Sequence, residues 1–250
     1  MPKVCIDAGH FGKYNRSNVF TSYYESDMTW KLHLLLKAEL DKYGFEVITT
    51  RDNKDVDLAL DKRGAKSKGC DLFISLHSNA CDTESVDRVV VIPYQNINWT
   101  DIDDKSMIIA DKLGACVKNV MGLSSYQVYI RGSDYDRDGN GKLDDEYYGV
   151  LYGARKVGTP GLILEHGFHT NLYCAKWLSE DSNLEELAKA EAEVIAEFFG
   201  LKKKNEEWYA DARRWAIENG IADGTRPNEP ATRAEVWTML QRLSNKTEVK

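Results

Sequence analysis

Through residue 200, short apolar runs alternate with stretches in which apolar positions recur every three or four residues. Val4–Asp7 reads as a buried strand ending in the turn sequence Ala8-Gly9-His10. From Glu25 to Lys42 the residues Met28, Leu32, Leu35, Leu36 and Leu40 share one helical side, and Gly44 stops the pattern. Phe45–Thr50 predicts a β-branched strand and Leu58–Lys68 a second helix, followed by the apolar run Leu72–Leu76 that leads directly into His77. Arg88–Tyr94 predicts another strand, and Asp101–Met121 a helix with Ile108, Ala110, Leu113, Val117 and Val120 inward. Gly161–Leu164 is a strand that delivers Glu165, and Leu184–Phe199 a last amphipathic helix. Such alternation predicts an α/β fold, a central, mostly parallel twisted sheet flanked by helices.

The pattern breaks at the basic segment Gly200–Asn205, and two short helical patterns follow between Trp208 and Leu243. The expected division is a domain over 1–200, a linker over 201–207 and a small helical unit over 208–250. No run of about 18 apolar residues occurs, so no membrane insertion is expected. The net charge of −7 argues against nucleic acid as a partner. Five cysteines without a CxxC pair read as buried reduced thiols. The amino terminus passes straight from Met1-Pro2-Lys3 into a strand, without the pattern of a signal peptide. The chain is therefore expected to be made and held in the cytoplasm until it is released.

Three candidate chemical groups, His10, His77 and Glu165, each follow a predicted strand, and in α/β sheets the strand ends converge on one crevice. Glu25 opens a helix. A catalytic zinc uses three ligands from His and carboxylates and leaves a fourth position open, and a further carboxylate is needed to move protons. Taken singly, each residue has an ordinary structural reading: a satisfied histidine, a carboxylate at a helix N-terminus, an ion-pair partner. His33, two turns into a helix, reads as structural.

In chain order the sequence carries Asp7-Ala8-Gly9-His10, the helix-opening Glu25, Thr50-Arg51-Asp52, the stretch Leu72 to Ala80 around His77-Ser78-Asn79, and Leu164-Glu165-His166-Gly167-Phe168-His169-Thr170-Asn171. Together these motifs resemble the zinc-dependent N-acetylmuramoyl-L-alanine amidases of amidase type 3, over about Val4 to Phe199. The resemblance implies Zn2+ held by His10, Glu25 and His77, with Glu165 as catalytic acid/base, acting on bacterial peptidoglycan at the bond between N-acetylmuramic acid and L-alanine. His166 and His169 stand where the family usually has hydrophobic residues, and they are candidates for contact with substrate. Asp7 and Asn79 are candidates for orienting the histidines. The expected setting is a phage or prophage endolysin, with a host autolysin as the alternative. A zinc exopeptidase or deacylase, and an inert wall-attachment protein, remain as other classes.

Two further stretches stand out. Started at Asp136, the loop Asp136-Arg137-Asp138-Gly139-Asn140-Gly141-Lys142-Leu143-Asp144 resembles an EF-hand-like or dockerin-like loop. It offers Asp136, Asp138, Asn140, the Lys142 carbonyl and Asp144 to Ca2+, but Tyr147 replaces the closing Glu at position 12. An acidic turn without metal is the other reading. In the carboxy-terminal unit, Trp208-Tyr209-Ala210-Asp211 through Asp223-Gly224-Thr225-Arg226-Pro227 to Thr232-Arg233-Ala234-Glu235 resembles one S-layer-homology motif. That resemblance implies cell-wall polysaccharide as a partner or an oligomer formed through this unit.

Overall fold

Strands that are apolar on both faces must be covered on both, and the sheet is built that way. A computed structural model describes residues 1–94, 100–132, 135–143, 145–203, 209–227 and 229–247. Its strands are β1 (Lys3–Ala8), β2 (Glu46–Thr49), β3 (Leu72–Asn79), β4 (Arg88–Pro93), β5 (Ser125–Val128) and β6 (Gly161–Phe168). They form one sheet in the order β2-β1-β3-β6-β4-β5. All neighbouring pairs are parallel except β4 with β6, so the sheet is mixed and mostly parallel.

The helices of the main unit are α1 (Glu25–Asp41), α2 (Leu60–Ala65), α3 (Asp101–Met121), α4 (Gly149–Lys156), α5 (Leu172–Trp177) and α6 (Asp181–Phe198). One sheet face, through Ile6, Ile74, Leu76, Leu162 and Leu164, buries against Leu32, Leu36, Leu113, Val117, Leu187 and Ile195 of α1, α3 and α6. The other, through Cys5, Phe73 and Ile163, buries against Val150, Leu151 and Ala154 of α4. Within α3 the inward stripe runs through Ser106, Ile109, Ala110, Leu113, Val117 and Met121. Ile108, expected inside, is about half exposed because Ile109 takes the inward position.

The hydrophobic pattern does not announce β5 or α4. The first is a half-exposed edge, and the second carries two glycines. Gly153 of α4 and Gly64 of α2 are needed for packing, since a Cβ on Gly64 would lie 2.0 Å from the Val150 carbonyl oxygen, and one on Gly153 2.1 Å from that of Asp61. Residues with no side chain let the two short helices approach backbone to backbone.

The chain divides into two compact units, Met1–Lys203 and Lys204–Lys250. The second contains α7 (Ala210–Glu218) and α8 (Arg233–Thr247). Its Thr232-Arg233-Ala234-Glu235 sequence forms a capping box: the Glu235 carboxylate accepts from the Thr232 N–H at 2.7 Å, and the Thr232 hydroxyl accepts from the Glu235 N–H at 3.2 Å. Glu235 also takes a hydrogen bond from Arg226 at 2.7 Å, and these contacts hold its carboxyl down to about 2.

Candidate metal centre and catalytic cleft

His10, Glu25 and His77 come from the end of β1, the first residue of α1 and the end of β3. Each offers one ligand atom, and these atoms lie within 4.8 Å of one another. Glu25 stands between the histidines, with Oε1 2.8 Å from His77 Nδ1 and Oε2 3.1 Å from His10 Nε2. The Ser78 N–H donates to Oε1 at 2.9 Å and the Asn15 amide donates to Oε2. Burial works against the Glu25 carboxylate, but the hydrogen bonds and charges of the two histidines outweigh it and hold its carboxyl far below the ordinary range. Burial likewise disfavours a charged His77, yet the Glu25 carboxylate beside it lifts the imidazole to about 9. The space between the three side chains is thus one where positive charge is stabilised, and a mixed imidazole/carboxylate set of three fits zinc.

The backbone beneath these donors is closely fitted. His10 occupies the left-handed region at φ 61°, unusual for a residue with a side chain. A Cβ on Gly9 would lie 2.4 Å from His77 Cε1 and 2.6 Å from the Leu76 carbonyl oxygen, so only glycine lets the β1 turn pass against the His77 ring. Arg63, 2% exposed, donates to the carbonyls of Ala8 at 3.2 Å, His10 at 2.8 Å and Leu58 at 3.1 Å. Arg51 adds a bond of 2.6 Å to the same Ala8 carbonyl. Asp7, a candidate for orienting the histidines, instead accepts from the hydroxyls of Thr50 and Ser75 and lies 3.6 Å from Arg63. The Asn79 side chain caps the Ala80 N–H, and its carbonyl accepts from the His169 N–H.

Glu165 pairs with His77 in the β3–β6 register, so the two strands bring carboxylate and imidazole side by side. Its Oε2 is buried without a hydrogen-bond partner among the described residues. Burial raises its carboxyl, the nearby His77 opposes that and Glu25 adds to it, and the result is about 7. A carboxyl poised there can both accept and return a proton near neutral pH.

These residues line a cleft of about 910 Å³ that also includes Phe11, Tyr14, Asn15, Arg63, Arg137, Tyr147 and Tyr148. His166 and His169 do not reach it, contrary to their candidacy for substrate contact. His166 is fully buried, with its ring nitrogens 2.8 Å from the His77 carbonyl oxygen and 2.7 Å from Glu191 of α6. Strand alternation explains this, because the residue after Glu165 must point through the sheet to the opposite face. His169, 1% exposed, stacks on Tyr23 and bonds Ser78.

In the acidic loop, Asp136 and Asp138 gather with Asp145. Asp144, the expected ligand, lies outside the described residues. The Asn140 and Gly141 N–H groups donate to Asp136 at 3.0 Å each, and the Lys142 N–H donates to Asn140 at 2.8 Å.

With this geometry in place, the family model for N-acetylmuramoyl-L-alanine amidase (Amidase_3) matches residues 4–197. The chain belongs to this family. Among curated proteins, the amidase chain is 28% identical over 205 residues to an endolysin of Bacillus phage SPP1, covering 81% of this chain and 68% of the relative. It is 26% identical over 198 residues to a probable cell wall amidase, LytH, of Staphylococcus epidermidis, covering 78% of this chain and 58% of that protein. It therefore spans less than two thirds of the staphylococcal relative's length. Among solved structures, the catalytic domain of CwlV from Bacillus (Paenibacillus) polymyxa var. colistinus superposes with a TM-score of 0.63 at 22% identity, covering 81% of this chain and all of that one. Ami1 from Mycobacterium smegmatis gives 0.64 at 16% identity, covering 80% and 97%. At those identities the likeness is one of fold.

Proposed function

We propose that the protein is a peptidoglycan hydrolase cleaving the amide between N-acetylmuramic acid and the L-alanine of the stem peptide. The observation that carries the reading is the convergence of His10, Glu25 and His77 beside Glu165, whose Oε2 has no hydrogen-bond partner among the described residues, in a chain of the amidase family. His10, Glu25 and His77 would hold a zinc ion, which when bound lowers the pKa of water and polarises a carbonyl. Glu165 takes the proton of the water that attacks the lactyl carbonyl carbon. As the new C–O bond is made and the C–N bond breaks, the same carboxyl returns that proton to the alanine nitrogen. Asn15 and the Ser78 N–H hold Glu25 in place through this step, and Arg63 holds the His10 turn.

The likeness to both a phage endolysin and a cell wall amidase supports lysis of walls as the setting, with the endolysin role preferred and an autolysin the alternative. We extend the proposal to Ca2+ in the loop of Asp136, Asp138 and Asn140, where it would stiffen one edge of the cleft, and to wall attachment by the carboxy-terminal unit. The test is digestion of purified peptidoglycan with analysis of the products. Free L-alanine amino termini without new reducing sugar ends are expected, and EDTA should stop their release. Glu165→Gln should lower the rate by about 10²–10⁴-fold while zinc content stays at the parental level. New reducing ends, or released single amino acids, would overturn the reading.

A further inference from the structure

Besides its histidines, the cleft is lined by two cationic side chains among the described residues, Arg63 and Arg137. Arg63 is buried and committed to three backbone carbonyls. Arg137 is exposed and comes from the acidic loop between β5 and α4. Its neighbours there are carboxylates, yet these turn into the loop: Asp136 accepts from the N–H groups of Asn140 and Gly141, and Asp145 from those of Arg137 and Asp138. The guanidinium runs the other way. Its Nε donates to the Glu146 carbonyl at 3.1 Å and its Nη2 to the Tyr147 carbonyl at 2.9 Å, and it lies over the Tyr135 and Tyr152 rings at 4.5 and 5.6 Å. Among the described residues of the loop, the carboxylates of Asp136 and Asp145 take N–H groups of the loop itself, while Arg137 lines the cleft.

Two physical consequences follow. The side chain is already held in one pose, so binding a ligand costs little further rotamer entropy. A guanidinium has five N–H donors in a planar fork, more than two carbonyls use, and that fork matches a carboxylate. The other charged groups of the lining are acidic: Glu25, Asp57, Asp61 and Glu165. Away from the His10–Glu25–His77 centre and the committed Arg63, an anionic group on a ligand meets Asp57, Asp61 and Glu165, so Arg137 is the cation that can seat a negative charge beyond the bond that is cut.

We infer that Arg137 is a specificity-determining residue that binds a free carboxylate of the stem peptide, beyond the alanine whose amide is cut. The inference rests on the amidase reading above and adds the substrate class that the cleft prefers. Amidation of that carboxylate removes both the charge and an acceptor, so an amidated stem is the poorer substrate.

The test compares two disaccharide tripeptides that differ only at the second stem residue, D-isoglutamate with its free α-carboxylate or D-isoglutamine with an amide. The quantity read is the ratio of kcat/KM for acid over amide, using the full chain supplied with zinc. The parent should favour the acid about tenfold, the scale of one hydrogen bond to a charged group. Arg137→Ala should bring the ratio to about one, chiefly by raising KM for the acid, and Arg137→Glu should reverse the preference. Because each ratio is internal to one preparation, a partly unfolded variant still reports it. A parent that cleaves both equally, or an Arg137→Ala variant that keeps the parental ratio, overturns the inference while leaving the amidase reading intact. A parent that cleaves neither overturns the amidase reading and this inference with it.

Discussion

Gly9 is the residue on which the metal centre is most tightly drawn. A methyl group there would have to share space with the His77 ring and the Leu76 carbonyl, at 2.4 and 2.6 Å. Either β1 and β3 separate or the imidazole turns. Gly9→Ala is therefore expected to weaken zinc binding by about 10–100-fold, the loss typical when a ligand's support is disturbed, as read by competition with a chromophoric chelator. Unchanged affinity would mean that the ring is free to move aside. The three candidate donors were legible because the motifs around them, taken in order, resemble those of the amidase family; their places at element boundaries alone left each with an ordinary structural reading. Arg63 was not, because an arginine within Leu60-Asp61-Lys62-Arg63 reads as part of a solvated helix surface, and only the fold turns its guanidinium under the His10 turn. His33 carries a different prediction. Burial lowers this imidazole from 6.5 to about 4. The unfolded chain takes up the proton first, so stability is complete above about 6.5 and is lost as pH falls toward 4. The loss amounts to at most about 3 kcal/mol. Thermal melts of the parent and His33→Leu between pH 7.5 and 4.5 should show a shallower acid decline in the variant, and parallel curves would exclude His33 as its source.

At the scale of elements, the pairing of β6 with α6 illustrates what strand periodicity does to a motif. Glu165 and His166 are adjacent in sequence and on opposite faces of the sheet, so one serves the cleft and the other the core. Alternation was available in the sequence; what was not legible was the partner, since Glu191 is one of five glutamates in α6 and only the fold turns it inward. The His166–Glu191 pair is completely enclosed, and one Glu191 oxygen has no hydrogen-bond partner among the described residues. Burial disfavours the imidazolium, but the carboxylate prevails and raises the His166 pKa. Removing one member leaves a buried charge or dipole stranded, whereas replacing both with apolar residues does not. Glu191→Ala should thus cost roughly 3–5 kcal/mol in denaturant unfolding. The double variant His166→Leu/Glu191→Leu should recover most of that loss. Additive losses in the double variant would mean that the two side chains act separately. The short helix α4 escaped the sequence pattern for a related reason, whereas α2 falls within the expected helix over Leu58–Lys68. Their contact is made by Gly64 and Gly153, and a backbone-to-backbone approach leaves no apolar stripe to detect.

For the whole molecule, the question is what the second unit adds. All residues of the cleft that holds His10, Glu25, His77 and Glu165 belong to Met1–Lys203. The unit over Lys204–Lys250 has its own groove of about 580 Å³, lined by charged and polar groups including Arg213, Asp223, Thr225, Arg226, Glu235 and Arg242. It leaves Trp215, Trp237 and Leu240 exposed, and a segment so short buries little apolar core of its own. The wall attachment proposed for this unit would rest on that surface. Ending the chain after Lys203 should therefore separate two activities. Cleavage of a soluble disaccharide-peptide should stay within about twofold of the parent, because a unit with its own core keeps its site. Release from intact walls should fall by about tenfold or more, since attachment raises the effective concentration of substrate around the cleft. Sedimentation with purified walls, scored for parent and truncated chain in the same experiment, links the rate to binding. Equal losses on both substrates would instead make the second unit a support for the catalytic fold, and no loss on walls would remove it from targeting altogether.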